Sequence, residues 1–333
     1  MDKSISIVIP CVQSDIKILL SNIYRLEEAS IYFHQIIIVL SNLSLFNEKI
    51  ISACPNLVVL THDKVLMPGE ARNVGVDYAN SKYILFLDVR TIPQVEWLMH
   101  VSSSVRNCTF DLSLGNVKYS ASSFMGNALI MASYGYNPLV CLPGSIIRKD
   151  LFNTIGLFLP YIRAGEDVEW LNRIKFFKLL SAKLERESLE YRINPDLRLD
   201  QIFTKWYRNY KSSAQVPYIY DLQKIAYFLF GAVFIVLLAS MWNWQVARWN
   251  TSSMFYVPYI TKLVTILLAS AYVLYRAVLL PIQKGARFKI RVIPLFVASF
   301  IIAFGIDIVK LLAFGVNAFS YTTVNNYIAP QKI

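Results

Sequence analysis

Short apolar runs alternate with stretches of helical period in the first part of the chain. Between the runs, Asp15–Ala29 and Glu70–Ala79 place apolar residues three and four positions apart, as in helices that pack on a sheet. The runs are continuous, which is typical of strands buried on both faces. We therefore predict parallel βαβ units in a doubly wound, mostly parallel α/β sheet. The predicted strands are Ile5–Pro10, Ile36–Leu40, Leu57–Leu60 and Tyr83–Leu87.

A different pattern begins at Ile225. Three apolar runs are long enough for membrane-spanning helices, which take roughly 20 residues. Asp307 and Lys310 lie on one helical face within the third run, where charged residues are functional candidates. We favour a structural ion pair between them, because residues three apart meet on a helix. The predicted transmembrane helices are Ile225–Trp244, Val257–Leu280 and Val292–Val316.

The segment Arg198–Gln215, before the first apolar run, is amphipathic. Apolar and aromatic residues occupy one helical face, and basic residues lie off it. This predicts an interfacial helix in the headgroup plane of an anionic membrane. A helix packed on the sheet has the same pattern and is the alternative. The expected organisation is an α/β domain over residues 1–197, an amphipathic helix and linker over 198–224, and then the three spans.

The formal net charge of +11 is distributed around the apolar runs. Basic residues cluster before the first run and in the loop Gln283–Arg291, whereas Arg248 is the one basic residue between the first and second runs. Basic loops stay on the cytoplasmic side, so we predict a multi-pass membrane protein with a cytoplasmic N-terminal domain and an external C-terminus. This placement speaks against nucleic acid as a partner, and the N-terminus shows no signal peptide. Four scattered cysteines suggest neither a disulfide framework nor a zinc site: Cys11, Cys54, Cys108 and Cys141.

One acidic residue directly follows the fourth predicted strand. Asp88 would lie at the carboxyl end of that strand, and open α/β sheets bind ligands in the crevice beyond such ends. Two interpretations are open for Asp88. It contacts a ligand, or it caps the turn before Thr91-Ile92-Pro93.

Three motifs then occur in order along the chain: IVIPC at 7–11, GEARNVGVDYANSKYILFLD at 69–88 and AGEDVEWLNRI at 164–174. In order and spacing they resemble family 2 glycosyltransferases of the GT-A fold, of the bacterial surface-polysaccharide type with C-terminal transmembrane helices. The resemblance covers about residues 4–215. It implies a nucleotide-sugar donor along the strand ends. The donor-binding residues implied are Pro10, Arg72, Asp88, Arg90, Gly144 and Arg173.

The sequence departs from that family at two positions. The family's pair of acids after the second strand is replaced by Ser41-Asn42, and its Asp-x-Asp metal motif by Asp88-Val89-Arg90. A guanidinium can form two parallel hydrogen bonds to a phosphate, so Arg90 could stand in for the ion. In the other interpretation Arg90 faces solvent and acids such as Asp88 bind the metal. Both a mechanism with Mg²⁺ or Mn²⁺ and a metal-independent one therefore stay open.

Glu166 and Asp167 form a second candidate centre. The resemblance implies that Asp167 is the catalytic base that takes the acceptor proton, with Glu166 shaping the pocket beside it. Acids at a helix start also stabilise the helix dipole, which is the alternative role. Arg173, six residues after Asp167, matches the family and favours catalysis. Gly144 either allows close backbone approach to a ligand or serves a plain turn.

The resemblance implies an inverting hexosyltransferase that is anchored in the bacterial inner membrane by several spans. It would move a sugar from a nucleotide-sugar donor to a polyprenyl-linked or other lipid-linked saccharide in O-antigen, capsule or exopolysaccharide biosynthesis. A synthase that places one sugar on polyprenyl phosphate is an alternative, and it needs no base because a phosphate acceptor is already ionised. A non-catalytic, degenerate domain that serves as a partner or scaffold is the other alternative.

Overall fold

The structure, a computed structural model, describes residues 5–41, 56–107, 109–184, 187–287 and 293–319. Asn42, Cys54 and Cys108 lie outside the described residues, as does the end of the Gln283–Arg291 loop. The chain divides into two compact units. Unit 1 is built from the described residues of Met1–Ser120 and Pro138–Arg192, and unit 2 from those of Ala121–Asn137 and Ile193–Val324. The segment Ala121–Asn137 thus departs from the predicted organisation, in which residues 1–197 form one domain.

The strands in chain order are β1 (Ile5–Val12), β2 (Gln35–Ser41), β3 (Leu57–His62), β4 (Tyr83–Phe86), β5 (Leu112–Ser120), β6 (Leu139–Arg148) and β7 (Leu189–Arg192). The helices are α1 (Ile16–Ala29), α2 (Pro68–Tyr78), α3 (Val95–Asn107), α4 (Phe124–Leu129), α5 (Leu151–Ile155), α6 (Glu166–Arg173), α7 (Leu199–Ser213), α8 (Pro217–Gln245), α9 (Lys262–Val273), α10 (Leu280–Gln283) and α11 (Ile293–Phe319).

All seven strands form one sheet in unit 1, in the spatial order β3-β2-β1-β4-β6-β5-β7. β1 pairs in parallel with β2 and β4, and β2 with β3. β6 runs antiparallel to β4 and β5, and β7 pairs in parallel with β5. The predicted mostly parallel α/β sheet is confirmed, and its first four strands are the ones predicted from the apolar runs. The antiparallel β6 was not predicted.

Alternate residues of the central strands feed two separate cores. Ile7 faces the core that α1 and α3 complete with Leu19 and Leu98. Its neighbour Val8 faces the opposite core, which includes Phe86 and Trp170. The continuous apolar character of the strands follows from this arrangement, because both faces of the sheet are covered.

Among the described residues of unit 2, three helical segments are long and apolar enough to cross a membrane, judged by length and composition. They are Gln223–Gln245, Lys262–Gln283 and Ile293–Val316. The second begins later than the predicted Val257 because Thr261 caps it, its hydroxyl accepting the N–H of Val264 at 3.3 Å. A π-helical segment, Leu274–Leu279, lies inside it.

The amphipathic helix α7 is confirmed, but its apolar face packs on protein. A β-carbon added at Gly305 of α11 would lie 2.5 Å from the ring of Phe203, so the two helices are in close contact. Trp206 lies beside Tyr134, and Tyr210 beside Tyr227, with ring centroids 5.8 and 6.4 Å apart. The aromatic residues of α7 therefore contact other helical segments of unit 2. Packing against neighbouring helices buries an apolar helical face as well as contact with lipid does.

Candidate functional site

Asp88 directly follows β4 and Leu87, at the carboxyl end of the parallel strands. The turn after it is closed by Thr91, whose N–H donates to the carbonyl of Asp88 at 2.8 Å and whose hydroxyl accepts the N–H of Asp88 at 3.1 Å. The turn is therefore held by backbone groups and by the side chain of Thr91. The carboxylate of Asp88 points to Arg72 instead, with Oδ1 3.3 Å from Nη2 of that residue.

Arg72 links Asp88 to Glu166 across the site. Its guanidinium is buried and places Nη1 2.5 Å from Oε1 of Glu166, which is buried as well. Burial alone would lower the pKa of Arg72, but the charges of Glu166, Asp88 and Asp167 raise it above its usual value. Arg72 is therefore a fixed cation that pairs with two acidic side chains, Asp88 after β4 and Glu166 at the start of α6.

Burial raises the pKa of Glu166 to about 7, against the opposing charge of Arg72 and with the help of Asp167. A buried carboxyl loses more hydration energy when it ionises, so its neutral form is favoured. Glu166 thus changes its protonation state near neutral pH. Perturbed groups of this kind, in a crevice with a specific partner, are typical of functional sites.

Asp167 lies next to Glu166 and is only half-buried. Its Oδ1 accepts the N–H of Val168 at 2.8 Å, in the first turn of α6. Within the part of the chain that the structure describes, no hydrogen bond or ion pair engages its Oδ2. The structure therefore brings Asp88, Arg72, Glu166 and Asp167 together, with Asp167 able to accept a proton from a bound molecule.

The motif around Arg72 explains how α2 holds this arrangement. Asn73 exchanges two hydrogen bonds of 2.9 Å with the backbone of Phe158, and so ties α2 to the loop before α6. A β-carbon on Gly69 would lie 2.4 Å from the carbonyl oxygen of Leu159, so only glycine permits this approach. Gly75 lies equally close to Val8 on β1. Each of these contacts fixes Arg72 relative to Glu166.

Arg90 stands beside the same strand end but has a different partner. Its Nη2 lies 2.8 Å from Oδ1 of Asp15, which follows β1, and both side chains are partly exposed. The solvent-facing interpretation is therefore incomplete, because an ion pair holds the guanidinium. Asp15 was missed by the sequence reasoning. The available signal was an acidic residue shortly after the first predicted strand, which was expected to end at Pro10.

The other predicted donor-binding residues are engaged in structural contacts. Arg173 donates to the carbonyls of Ile155 and Leu157 at 2.8 and 2.6 Å and pairs with Glu169 at 2.8 Å. These contacts connect α6 to the end of α5. They explain the position of the Arg173 side chain, and no ligand is needed to explain it. The structure does not bring Arg173 to the Arg72 cluster.

Gly144 lies within β6 at a φ of +82°, a conformation that other residues rarely adopt. Its neighbours are Gly115 and Leu189, so the close approach is to another strand. Pro10 lies in β1, which continues to Val12 and does not end at the proline as predicted. The pairing of β1 with β4 ends at Val8, so β4 does not pair with Pro10. The proline, which has no N–H to donate, therefore costs no hydrogen bond to β4.

The residues around Asp88 do not fit a divalent metal ion. No group of three His, Cys, Asp or Glu side chains with ligand geometry occurs among the described residues. Mg²⁺ takes six oxygen ligands, some of them from water and phosphate, whereas Asp88 faces the guanidinium of Arg72. We therefore derive no chemical step through a metal ion.

Residues 6–132 match the family model described as Glycosyl transferase family 2. The match includes Arg72, Asp88 and Arg90 and ends before Glu166 and Asp167. Among curated proteins, the chain is 26% identical over 132 residues to "Glycosyltransferase AglE" of Haloferax volcanii, which covers 37% of this chain. The chain spans only 43% of the length of that relative.

Among solved structures, the chain is similar to S. aureus TarS 1-349 in complex with UDP-GlcNAc, with a TM-score of 0.44 and 13% identity over 95% of this chain and 92% of that one. TarS 1-349 in complex with UDP gives a TM-score of 0.42 and 15% identity over the same shares. The glycosyltransferase resemblance of the sequence therefore has its support in residues 6–132, which match glycosyl transferase family 2.

Proposed function

We propose that this chain is a membrane-anchored, inverting glycosyltransferase that moves a sugar from a nucleotide-sugar donor to a lipid-linked saccharide in bacterial surface-polysaccharide biosynthesis. The observation that carries the proposal is the buried Arg72, which holds Asp88 and Glu166 at 3.3 and 2.5 Å beside the half-buried Asp167. The family match over residues 6–132 supports the same chemistry.

In the proposed reaction, Asp167 takes the proton of an acceptor hydroxyl as the acceptor oxygen attacks the anomeric carbon. The new bond forms on the face opposite the donor diphosphate. The bond between the anomeric carbon and the diphosphate oxygen breaks, and its electron pair leaves with the nucleoside diphosphate. Asp167 is suited to this role because it is half-buried and no described residue bonds its Oδ2, whereas Glu166 is held by Arg72.

The departing diphosphate develops negative charge that must be stabilised. We assign this role to Arg90, which lies two residues after Asp88 and presents a partly exposed guanidinium held by Asp15. Asp88 would act through Arg72, by keeping that cation at the strand end. Pro10 and Gly144 would shape the backbone of the crevice, and Arg173 would keep its structural contacts.

The polyprenyl-phosphate synthase is a second candidate, because the apolar helices of unit 2 suit a lipid acceptor as well as they suit an anchor. It differs in needing no base, so the role of Asp167 separates the two. A non-catalytic partner protein would bind a nucleotide without turnover.

Purified full-length protein should be incubated with a panel of sugar nucleotides and with lipid-linked hydroxyl and polyprenyl phosphate acceptors. Release of the nucleoside diphosphate with transfer to one acceptor supports the proposal and selects between the two enzymes. Nucleotide binding with no transfer to any acceptor would favour the non-catalytic alternative.

We also propose that the α/β unit faces the cytoplasm, where sugar nucleotides are available, and that the C-terminus lies outside. A single cysteine in place of Gln283, which is exposed at the end of α10, should resist a membrane-impermeant thiol reagent applied to intact cells. Labelling of that cysteine from outside would invert the topology.

A further inference from the structure

A second buried charge cluster lies in unit 2. Arg276 donates two hydrogen bonds to the carboxylate of Asp307 on α11. Its Nε lies 2.6 Å from Oδ2 of Asp307, and its Nη2 lies 2.9 Å from Oδ1. The hydroxyl of Tyr272 donates to the same carboxylate at 3.0 Å. The predicted pairing of Asp307 with Lys310 is thus secondary, because Lys310 Nζ lies 3.8 Å from Oδ1. Arg276 was missed, since a lone arginine in an apolar run gives no sign of its partner.

Lys310 is held mainly by aromatic rings. Its ammonium lies 4.8 Å from the ring centroid of Tyr210 and 5.6 Å from that of Trp206. These are cation–π distances, at which the ring faces attract the charge but do not neutralise it. Because α7 supplies both rings, Lys310 lies beside that amphipathic helix.

Lys284 adds a third cation to the cluster. Its ammonium donates to the carbonyl of Ser133. Burial lowers the pKa of Lys284 to about 8, and the charges of Arg276 and Lys310 act in the same direction, while Asp307 opposes them. The positive potential of the cluster therefore outweighs its one carboxylate.

No other acid in the sequence can balance these cations from within the last part of the chain, because Asp307 is the only acidic residue after Asp221. Asp221 itself is exposed and pairs with Lys224 at 2.8 Å. Charged groups inside apolar helices either pair with one another or mark a ligand site. Three cations that share one carboxylate leave an excess of two positive charges.

We propose that Arg276, Lys310 and Lys284 form a binding site for a phosphate monoester or diphosphate carried on a long apolar chain, the anionic end of a lipid-linked acceptor. A phosphate monoester dianion matches the charge excess of the cluster, whereas the phosphodiester of a common phospholipid carries one charge. Arg276 and Lys310 would donate to the phosphate oxygens, as arginine and lysine do in other phosphate sites. The apolar helices around the cluster would accept the chain.

This inference rests on the proposed lipid-linked acceptor, and it is tested by binding alone, without sugar transfer. The full-length protein in nanodiscs of phosphatidylcholine should bind farnesyl diphosphate at least about tenfold more tightly than the neutral alcohol farnesol. Lys310→Gln should weaken that binding about tenfold or more, since a charge-assisted contact is lost. Lys262→Gln removes an exposed cation at the start of α9 and is the matched control, with unchanged affinity expected.

Asp307→Asn gives a result of opposite sign, because it removes the carboxylate that competes with the ligand for the cations. It should bind farnesyl diphosphate more tightly than the parent protein, whereas a purely structural cluster predicts no gain. If Asp307→Asn does not fold, the proposal is still tested by comparing the farnesyl diphosphate affinities of Lys310→Gln and Lys262→Gln.

Three outcomes would overturn the proposal. Equal affinities of the Lys310→Gln and Lys262→Gln variants would show that the cluster does not bind the probe. Equal competition by inorganic pyrophosphate would identify a site for a free anion, and loss of binding in nanodiscs that contain phosphatidylglycerol would identify a phospholipid site. Nucleotide-sugar binding, measured on the same preparations, reports separately on the proposed function.

Discussion

The two buried charge clusters of this chain carry opposite excesses of charge. In unit 1, the single guanidinium of Arg72 faces Glu166 and Asp88, and Asp167 acts on it from nearby. In unit 2, Asp307 is surrounded by arginine and lysine side chains. An acid-rich cluster favours proton uptake, and a base-rich cluster favours an anion. The sign of the excess therefore indicates what kind of group each cluster would accept.

The largest effect should follow from removing the proton acceptor of the acid-rich cluster. Asp167→Asn should lower turnover at least about a hundredfold, because an amide cannot take a proton. Donor affinity, measured by calorimetry, should stay close to that of the parent. Asp150→Asn, which changes an exposed carboxylate in the same unit, is the control. An Asp167→Asn enzyme that works at the parental rate would remove Asp167 from the mechanism.

Arg90 gives the next largest effect, because it supplies positive charge at the edge of an otherwise acid-rich site. Arg90→Ala should lose about a hundredfold of activity, the lower end of what other enzymes lose when one charge-stabilising donor is removed. Arg106→Ala, which removes an exposed arginine of α3, is the control and should keep the parental activity. Parental activity should persist in chelator, and added Mg²⁺ should not rescue Arg90→Ala.

Arg90→Asp sharpens this test, because it restores an acid at both ends of the Asp88-Val89-Arg90 motif. We expect that variant to be inactive in chelator and to regain some activity with Mn²⁺. Parental activity that disappears in chelator and returns only with a divalent ion would contradict the role of Arg90. The glycosyltransferase proposal would survive that result.

Asp88→Ala should have a smaller effect, on donor binding. Without the 3.3 Å contact to Asp88, Arg72 loses one of the two carboxylates that fix it. We expect donor affinity to fall on the order of tenfold, or about 1.4 kcal/mol. Asp77→Ala, exposed on α2, is the control. Unchanged affinity with a large fall in melting temperature would make Asp88 a structural residue.

The smallest effect concerns the pH dependence of stability. The pKa of Glu166 is raised from 4.5 to about 7 in the folded chain, so the folded state binds more protons than the unfolded state between these values. The contribution of Glu166 is therefore fully present below pH 4.5 and is lost as the pH rises through 7. Glu166→Gln should flatten the fall in melting temperature between pH 5 and pH 8. The exposed Glu96→Gln should leave the fall as it is, and an equal slope in both variants would contradict the buried-carboxyl account.

The first four strands, α1, α2 and α7 were predictable because their apolar periods are set locally. The neighbours Glu166 and Asp167 were found as a pair through their motif. The ion pairs were not predictable: Arg72 and Glu166 are 94 residues apart, and Arg276 and Asp307 are 31 apart. No local period encodes a partner at such a distance. The antiparallel direction of β6 was not predictable for a related reason. The apolar pattern of a buried strand does not indicate whether its neighbours run parallel or antiparallel to it.

The segment Ala121–Asn137 has a consequence for how this protein is made. It lies early in the chain, but Tyr136 donates its N–H to the carbonyl of Lys284, and Met131 packs with Phe296. Ser133 and Lys284 are 151 residues apart. At about 5–20 residues per second, a ribosome takes roughly 8–30 s to cover that distance. During this interval the apolar side chains of this segment, such as Met131, have been synthesised while their packing partners do not yet exist. A gene fragment cut after Arg192 would make that condition permanent, so we expect it to yield an aggregating product.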